Sequence, residues 1–148
     1  MNRSRCLVVG YDGSDWSDAA VRYALDRLGS EGCMVVVHGY SPPPDLVPDA
    51  DRRRIVEERR VNGRELLSSV ATMCREIAPD ISCESELVEG TSADALLAVA
   101  SDRDAAEIVV GSRGTGRSWT PIGSVSRQLL NAADRPVVVV PFTQGDDG

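Results

Sequence analysis

Short apolar runs alternate along the chain with longer stretches in which apolar residues recur every three or four positions. The short runs, rich in valine and isoleucine, predict buried strands, and the longer stretches predict amphipathic helices. The predicted strands are residues 6–9, 34–37, 81–88, 108–110 and 137–140. The predicted helices are residues 15–28, 49–77, 92–100 and 124–132. This alternation implies right-handed crossovers and an α/β fold, a Rossmann-like open twisted sheet of five mainly parallel strands with helices on both faces.

The length of 148 residues fits one domain with a sizeable core. We expect a single domain over residues 1–142, followed by a short disordered tail at 143–148. Four prolines within residues 41–48 predict an extended loop. On the long helix after it, acids and arginines alternate, which favours a solvated face over a binding patch. The apolar face of that helix is predicted to hold Ile55, Val56, Leu66, Leu67, Val70, Met73 and Ile77.

The apolar runs are far shorter than the ~20 residues that a membrane span needs. With no signal-like segment before the first strand, we expect a cytoplasmic protein without membrane association. The four cysteines form no C-x-x-C pair and have no histidines at ligand spacing, so they predict structural thiols in a reducing compartment and no metal site. They are Cys6, Cys33, Cys74 and Cys83.

Two residue counts exclude several mechanisms. All 16 basic residues are arginines, and the missing lysine excludes a P-loop and Schiff-base chemistry. The single histidine, His38, excludes multi-histidine metal sites, and a hydrogen-bonded structural role is favoured for it over a general base. Neither a dinucleotide-binding G-x-G-x-x-G after the first strand nor a G-x-S-x-G elbow is present.

The net charge of −7 argues against nucleic-acid binding. Residues 111–133 nevertheless contain three arginines and no acid, so this stretch carries +3 and the remainder −10. A glycine-rich, purely basic stretch in an acidic protein predicts a local anion site. Its candidate residues after the fourth strand are Gly111, Ser112, Arg113, Gly114, Thr115, Gly116 and Arg117, with Gly123 and Ser124 at the start of the next helix.

The position of this loop favours phosphate binding. Ligands of open parallel sheets bind beyond the carboxyl ends of the strands, and glycine amides, arginines and a helix N-terminus all attract phosphate. Asp12, after the first strand, faces the same edge. Two interpretations of Asp12 stay open: it contacts a ribose, a base or Mg²⁺, or it only caps a turn before the first helix.

Five segments together resemble the universal stress protein family over essentially the whole chain. They are VVGYDGS from Val8, VVHG from Val36, VVGSRG from Val109, GSVS from Gly123 and RPVVVVP from Arg135. ATP-binding members of that family carry G-x2-G-x9-G-[S/T]. Gly111 and Gly114 match its opening and Gly123-Ser124 its end, but eight residues rather than nine lie between them.

The resemblance implies an adenine nucleotide, ATP with Mg²⁺ held only through the nucleotide, in a cleft at the strand ends. Gly10 and Asp12 would lie near adenine and ribose, with Gly39 facing the base. Residues 111–117 would surround the phosphates, and Gly123, Ser124 and Val125 would close on them. The family also commonly forms homodimers by pairing last strands, here Val137–Val140, whose apolar edge would otherwise be an aggregation hazard.

Three functions are therefore compared. The favoured one is an ATP-binding regulatory protein of the stress response. The second is a nucleotide-free family member acting as a dimeric interaction module, which the shortened loop supports. The third is an enzyme, and because no residue stands out to activate water, slow ATP hydrolysis is the most we expect.

Overall fold

The computed structural model describes residues 5–114 and 122–142. The predictions for Thr115, Gly116, Arg117 and the tail at 143–148 lie outside these residues. The strands are β1 (Cys6–Gly10), β2 (Cys33–Tyr40), β3 (Ser82–Glu89), β4 (Glu107–Gly111) and β5 (Val137–Val140). The helices are α1 (Asp15–Leu28), α2 (Asp49–Ile77), α3 (Ser92–Asp102) and α4 (Ser124–Ala132). Every predicted element is present, and β2 is twice its predicted length because it pairs with β3 as far as Tyr40.

The five strands form one sheet in the order β3-β2-β1-β4-β5, and all four pairings are parallel. The predicted α/β fold is confirmed. The central strand β1 pairs with β2 on one side and β4 on the other, with Val8 opposite both Val35 and Ile108. The strand order therefore reverses between β1 and β4, and such a switch point opens a crevice at the carboxyl ends of the strands.

Alternating residues of the sheet divide the core into two layers. Leu7 and Val9 pack toward α1 and α2, whereas Val8 packs toward α3 and α4. Because both faces are covered, the inner strands are almost continuously apolar, and Leu7, Val8 and Val9 are all 0% exposed. Each such side chain contributes about 1.5–3 kcal/mol by leaving water.

The starts of α1 and α3 are fixed by side-chain caps. Ser14 Oγ accepts a hydrogen bond from the Ser17 amide at 3.2 Å, and Thr91 Oγ1 accepts one from the Asp94 amide at 3.2 Å. These bonds satisfy first-turn amides that no helical carbonyl can reach. The caps fix the first residues of both helices a few positions after the carboxyl ends of β1 and β3, so the two N-termini lie at the same end of the sheet.

Helix α2 corrects one sequence expectation. Its last residue, Ile77, is 44% exposed rather than inward, because the helix ends there. Its charged face is mostly exposed, as expected, but two of its arginines also bind the loop that precedes the helix. Arg52 donates to the carbonyls of Pro43 at 2.9 Å and Pro44 at 2.6 Å, and Arg59 donates to that of Ser41. Helix side chains thus hold the proline-rich loop, which has few backbone partners of its own.

Within residues 5–114 and 122–142, no helix is both long enough and apolar enough to cross a membrane.

Candidate functional site

A cavity of about 520 Å³ opens at the switch point, beyond the carboxyl ends of β1, β2 and β4. Among the predicted site residues that the structure describes, all except Ser112 line it. The lining comprises Gly10, Tyr11, Asp12, Ser17, Val37, His38, Gly39, Ser92, Leu96, Val110, Gly111, Arg113, Gly114, Gly123, Ser124, Val125 and Ser126. Residues more than a hundred positions apart in the chain therefore form one concave surface.

Asp12 links the loop after β1 to the loop after β4. Its Oδ1 accepts hydrogen bonds from the Ser14 amide at 2.9 Å and the Ser14 hydroxyl at 2.5 Å, which is the turn-capping arrangement. Its Oδ2 faces the other loop, since a Cβ added at Gly114 would lie 2.5 Å from that oxygen. The turn role of Asp12 is thus present, and the same carboxylate also lines the cavity.

The start of α4 contributes backbone donors. The Gly123 amide, expected to face the ligand, instead donates to Ser112 O at 2.6 Å and closes the base of the loop. The first helical bond runs from the Arg127 amide to Gly123 O, so the amides of Ser124, Val125 and Ser126 have no acceptor within the helix. They lie at the positive end of the helix dipole, and all three residues line the cavity.

Three site glycines permit close packing beside the cavity. A Cβ at Gly10 would lie 3.0 Å from Leu96 Cδ1, and one at Gly39 would lie 3.1 Å from Ser92 Cα, so both glycines let α3 approach the strand ends. A Cβ at Gly111 would lie 2.6 Å from Trp16 Cβ and 2.8 Å from its backbone. The sequence suggested ligand contact for these residues. The structure adds a packing role, because α1 and α3 can approach the strand ends this closely only beside residues without a Cβ.

Two polar side chains in the lining are held by internal hydrogen bonds. The buried Tyr11 hydroxyl donates to Asp18 Oδ1 at 2.7 Å, and burial together with this bond raises the pKa of Tyr11. His38 Nδ1 lies 2.8 Å from Tyr11 O, and since a carbonyl only accepts, Nδ1 carries the proton. The hydrogen-bonded role predicted for His38 is confirmed, although its ring also lines the cavity.

Sequence reasoning missed several lining residues, among them Ser17 and Ser92. Both lie in first helical turns that follow the carboxyl end of a strand. In a parallel sheet every such turn points toward the ligand edge, so their position after a strand was the available signal.

The described lining carries one anionic side chain, Asp12, and one cationic side chain, Arg113. Around them lie the first turns of α1, α3 and α4, whose positive dipole ends add to the charge of Arg113. Apolar side chains such as Leu96 and Val37 also line the cavity. The site therefore suits a ligand with an apolar part and an anionic part.

The fold and this cleft define an α/β protein with a crevice at the switch point of its parallel sheet, and comparison with known proteins supplies the family. The model of the universal stress protein family matches residues 4–141. The chain belongs to the universal stress protein family.

Individual relatives agree with this assignment. A universal stress protein of Thermus aquaticus is 29% identical over 143 residues, covering 92% of this chain and 98% of its own. One from Methanocaldococcus jannaschii is 30% identical, covering 94% of this chain and 83% of its own.

Solved structures agree on the fold. The universal stress protein UspA from Lactobacillus plantarum superposes with a TM-score of 0.81 at 15% identity, covering 95% of this chain and 99% of its own. A universal stress protein in complex with cAMP and one from Archaeoglobus fulgidus in complex with dAMP each reach a TM-score of 0.66 at 24% identity. The first covers 93% of this chain and 97% of its own, and the second 95% and 99%.

Proposed function

We propose that the cleft binds an adenine nucleotide and that the protein acts as a nucleotide-dependent regulator of the cytoplasmic stress response. The observation that carries this proposal is the convergence of Arg113, the end of β4 and the first turn of α4 on one cavity that apolar side chains also line. The complexes of two similarly folded proteins with cAMP and dAMP support it.

Lining chemistry suggests how the ligand is oriented. The base would lie against the apolar part near Val37, Gly39 and Leu96, and the phosphates would face Arg113 and the α4 amides. Asp12, between the two loops, would then meet the ribose. We propose ATP as the nucleotide. Within the described ranges no cluster of three or more His, Cys, Asp or Glu side chains could hold a metal ion, so Mg²⁺ would be bound through the phosphates, with Asp12 as a neighbouring carboxylate.

A matched pair of arginine variants tests the site. Arg113 lines the cavity, whereas Arg127 is exposed on α4 and does not. Arg113→Gln should weaken nucleotide binding by about 10- to 150-fold, the equivalent of losing a charge-assisted hydrogen bond of about 1.5–3 kcal/mol. Arg127→Gln should leave the dissociation constant nearly unchanged. Isothermal titration with ATP, ADP, AMP and cAMP measures both variants and ranks the ligands.

Binding that Arg113→Gln and Arg127→Gln weaken equally would contradict this site, because long-range charge alone would then explain both losses. If folded wild-type protein binds none of the four nucleotides and releases none on denaturation, nucleotide binding itself is wrong. The interaction-module function, which the eight-residue loop spacing favours, would replace it.

We further propose a homodimer formed through β5. In the described sheet β5 has a strand on one side only, and all four valines remain partly exposed. Bonds from the Ile108 amide to Pro136 O and from the Ser112 amide to Val140 O place Val139 between ladder positions, with its amide directed away from β4.

Val139→Pro should therefore remove a donor on the free edge while keeping the β4 ladder. Light scattering should show the 15.9 kDa chain as a dimer in the wild type and as a monomer in the folded variant. A monomeric wild type, or a variant that stays dimeric, would contradict the interface.

A further inference from the structure

The four cysteines, which show no paired spacing in the sequence, form two pairs in the structure, one on each face of the sheet. Cys6 and Cys33 are register partners in β1 and β2 and pack with the α3 layer. Cys74 of α2 and Cys83 of β3 pack together in the opposite layer. In each pair the two thiols lie close enough to influence one another.

Each pair contains one thiol with a raised pKa, Cys6 and Cys74, and Cys83 is the thiol whose pKa is lowered. Burial, with the neighbouring Cys33 thiol, raises the pKa of Cys6 to about 12, which disfavours its thiolate form. The pKa of Cys83 is lowered, because the neighbouring Cys74 thiol and the Arg75 cation outweigh the opposing effects of burial and Glu84. Cys83 is half-buried, whereas Cys74 is 1% exposed. A partly exposed thiol of lowered pKa next to a second, buried thiol is typical of a cysteine pair that is sensitive to oxidation.

We propose that Cys83 is an oxidation site at which a hydroperoxide drives formation of an intramolecular disulfide with Cys74, linking α2 to β3. The Cys83 thiolate attacks one peroxide oxygen, the O–O bond breaks, and the departing hydroxide or alkoxide takes up the thiol proton. Cys74 Sγ then attacks Cys83 Sγ, the S–O bond of the sulfenic acid breaks, and the hydroxide leaves as water with the Cys74 proton. Two thiols lose two electrons and the peroxide gains them.

Local backbone structure favours this bond. The Ala78 amide donates to Cys74 O at 2.8 Å and the Ile81 amide donates to Ala78 O at 3.1 Å, so a tight turn joins the end of α2 to the start of β3. The disulfide would close a loop of only ten residues, 74–83. Both cysteines lie away from the carboxyl ends of the strands, so the proposal does not depend on nucleotide binding.

Peptide mapping of the wild-type protein tests the bond directly. Because the basic residues are all arginines, trypsin places the four cysteines in separate peptides: Cys6 in 6–22, Cys33 in 28–52, Cys74 in 65–75 and Cys83 in 76–103. After treatment with hydrogen peroxide and alkylation of free thiols, we expect peptide 65–75 linked to 76–103. The peptides of Cys6 and Cys33 should be recovered alkylated, and the linkage should disappear with dithiothreitol.

Single variants assign the roles. Cys83→Ser should slow peroxide consumption at least about tenfold, while Cys74→Ser should leave a sulfenic acid on Cys83 that dimedone traps. Cys33→Ser, on the other sheet face, is the matched control and should retain the 74–83 disulfide. Linkage of peptides 6–22 and 28–52, a disulfide between two chains, or four free thiols in oxidant-treated folded protein would each overturn the proposal.

Discussion

Polar groups at the two ends of the sheet lie in opposite environments: at one end they pair with each other, and at the other they line a cavity. At the amino end, Glu107 is 9% exposed and accepts hydrogen bonds from Arg5 at 3.4 Å and Arg27 at 3.0 Å. At the carboxyl end, first-turn amides and Arg113 surround a cavity. Charges at the amino end thus satisfy one another, while donors at the carboxyl end face open space. A parallel sheet produces this difference because every crossover helix begins just past a strand's carboxyl end.

The largest effect is expected from a glycine at the carboxyl end. Gly111→Ala should lower the free energy of unfolding by about 3 kcal/mol, because the new methyl would overlap the backbone of Trp16. Urea denaturation measures the loss. The matched control is Gly123→Ala, whose Cβ would have no atom nearer than 3.4 Å and should cost less than about 1 kcal/mol. Equal losses in the two variants would show that close packing against α1 is not the reason why position 111 requires glycine.

The second test addresses the contact between the two loops. Gly114→Ala should cost about 1.5 kcal/mol, because its Cβ would lie 2.5 Å from Asp12 Oδ2. In an Asp12→Ala background that overlap is gone, so the same substitution should cost almost nothing. A double-mutant cycle on unfolding free energies should therefore show about 1.5 kcal/mol of coupling. Additive losses would contradict the contact.

The third test moves to the amino end. Glu107→Gln should lower the free energy of unfolding by about 1 kcal/mol, because the neutral amide is a weaker acceptor for both guanidinium groups. Nucleotide affinity should not change, since Glu107 lies at the other end of β4 from the cavity. Glu65→Gln, exposed on α2, controls for loss of charge and should be neutral. A changed nucleotide affinity in Glu107→Gln would contradict the expectation that the two ends of the sheet act independently.

The smallest effect is expected at a helix cap. Thr91→Ala removes the acceptor for the Asp94 amide and should cost about 0.5–1 kcal/mol, measured as a fall of a few degrees in Tm. Thr91→Ser keeps the hydroxyl and should restore most of the loss. If serine and alanine behave alike, the methyl group rather than the cap stabilises the start of α3.

The fold could be predicted because its signals are local. Valine runs such as Val137–Val140 and the periodic positions of α2 determine strand and helix without knowledge of their partners. What escaped prediction depends on partners distant in the chain. The extension of β2 requires β3, and Gly63 looks like a weak helix position until Leu87 Cδ1 is found 2.5 Å from where its Cβ would lie.

The candidate site shows the same limit. Glycine content, basic charge and position after β4 were enough to place Arg113 and Gly114 at the cavity. They could not show that the Gly123 amide is used by Ser112 O, or that Trp16 packs on Gly111, because both contacts depend on how the chain closes in three dimensions. The cysteine pairs escaped for the same reason, since β1 meets β2 and α2 meets β3 only in the folded molecule.

The pairing of β1 with β4 has a consequence for the order of folding. Leu7 lies opposite Glu107, one hundred residues later in the chain, whereas β1, β2 and β3 follow one another with single helices between them. Closing so long a loop is slow, so the three-strand half is expected to form before β4 docks. The cleft lies where β4 pairs with β1, the junction that is expected to form last. A ligand that needs both strand ends would therefore bind only after folding is complete.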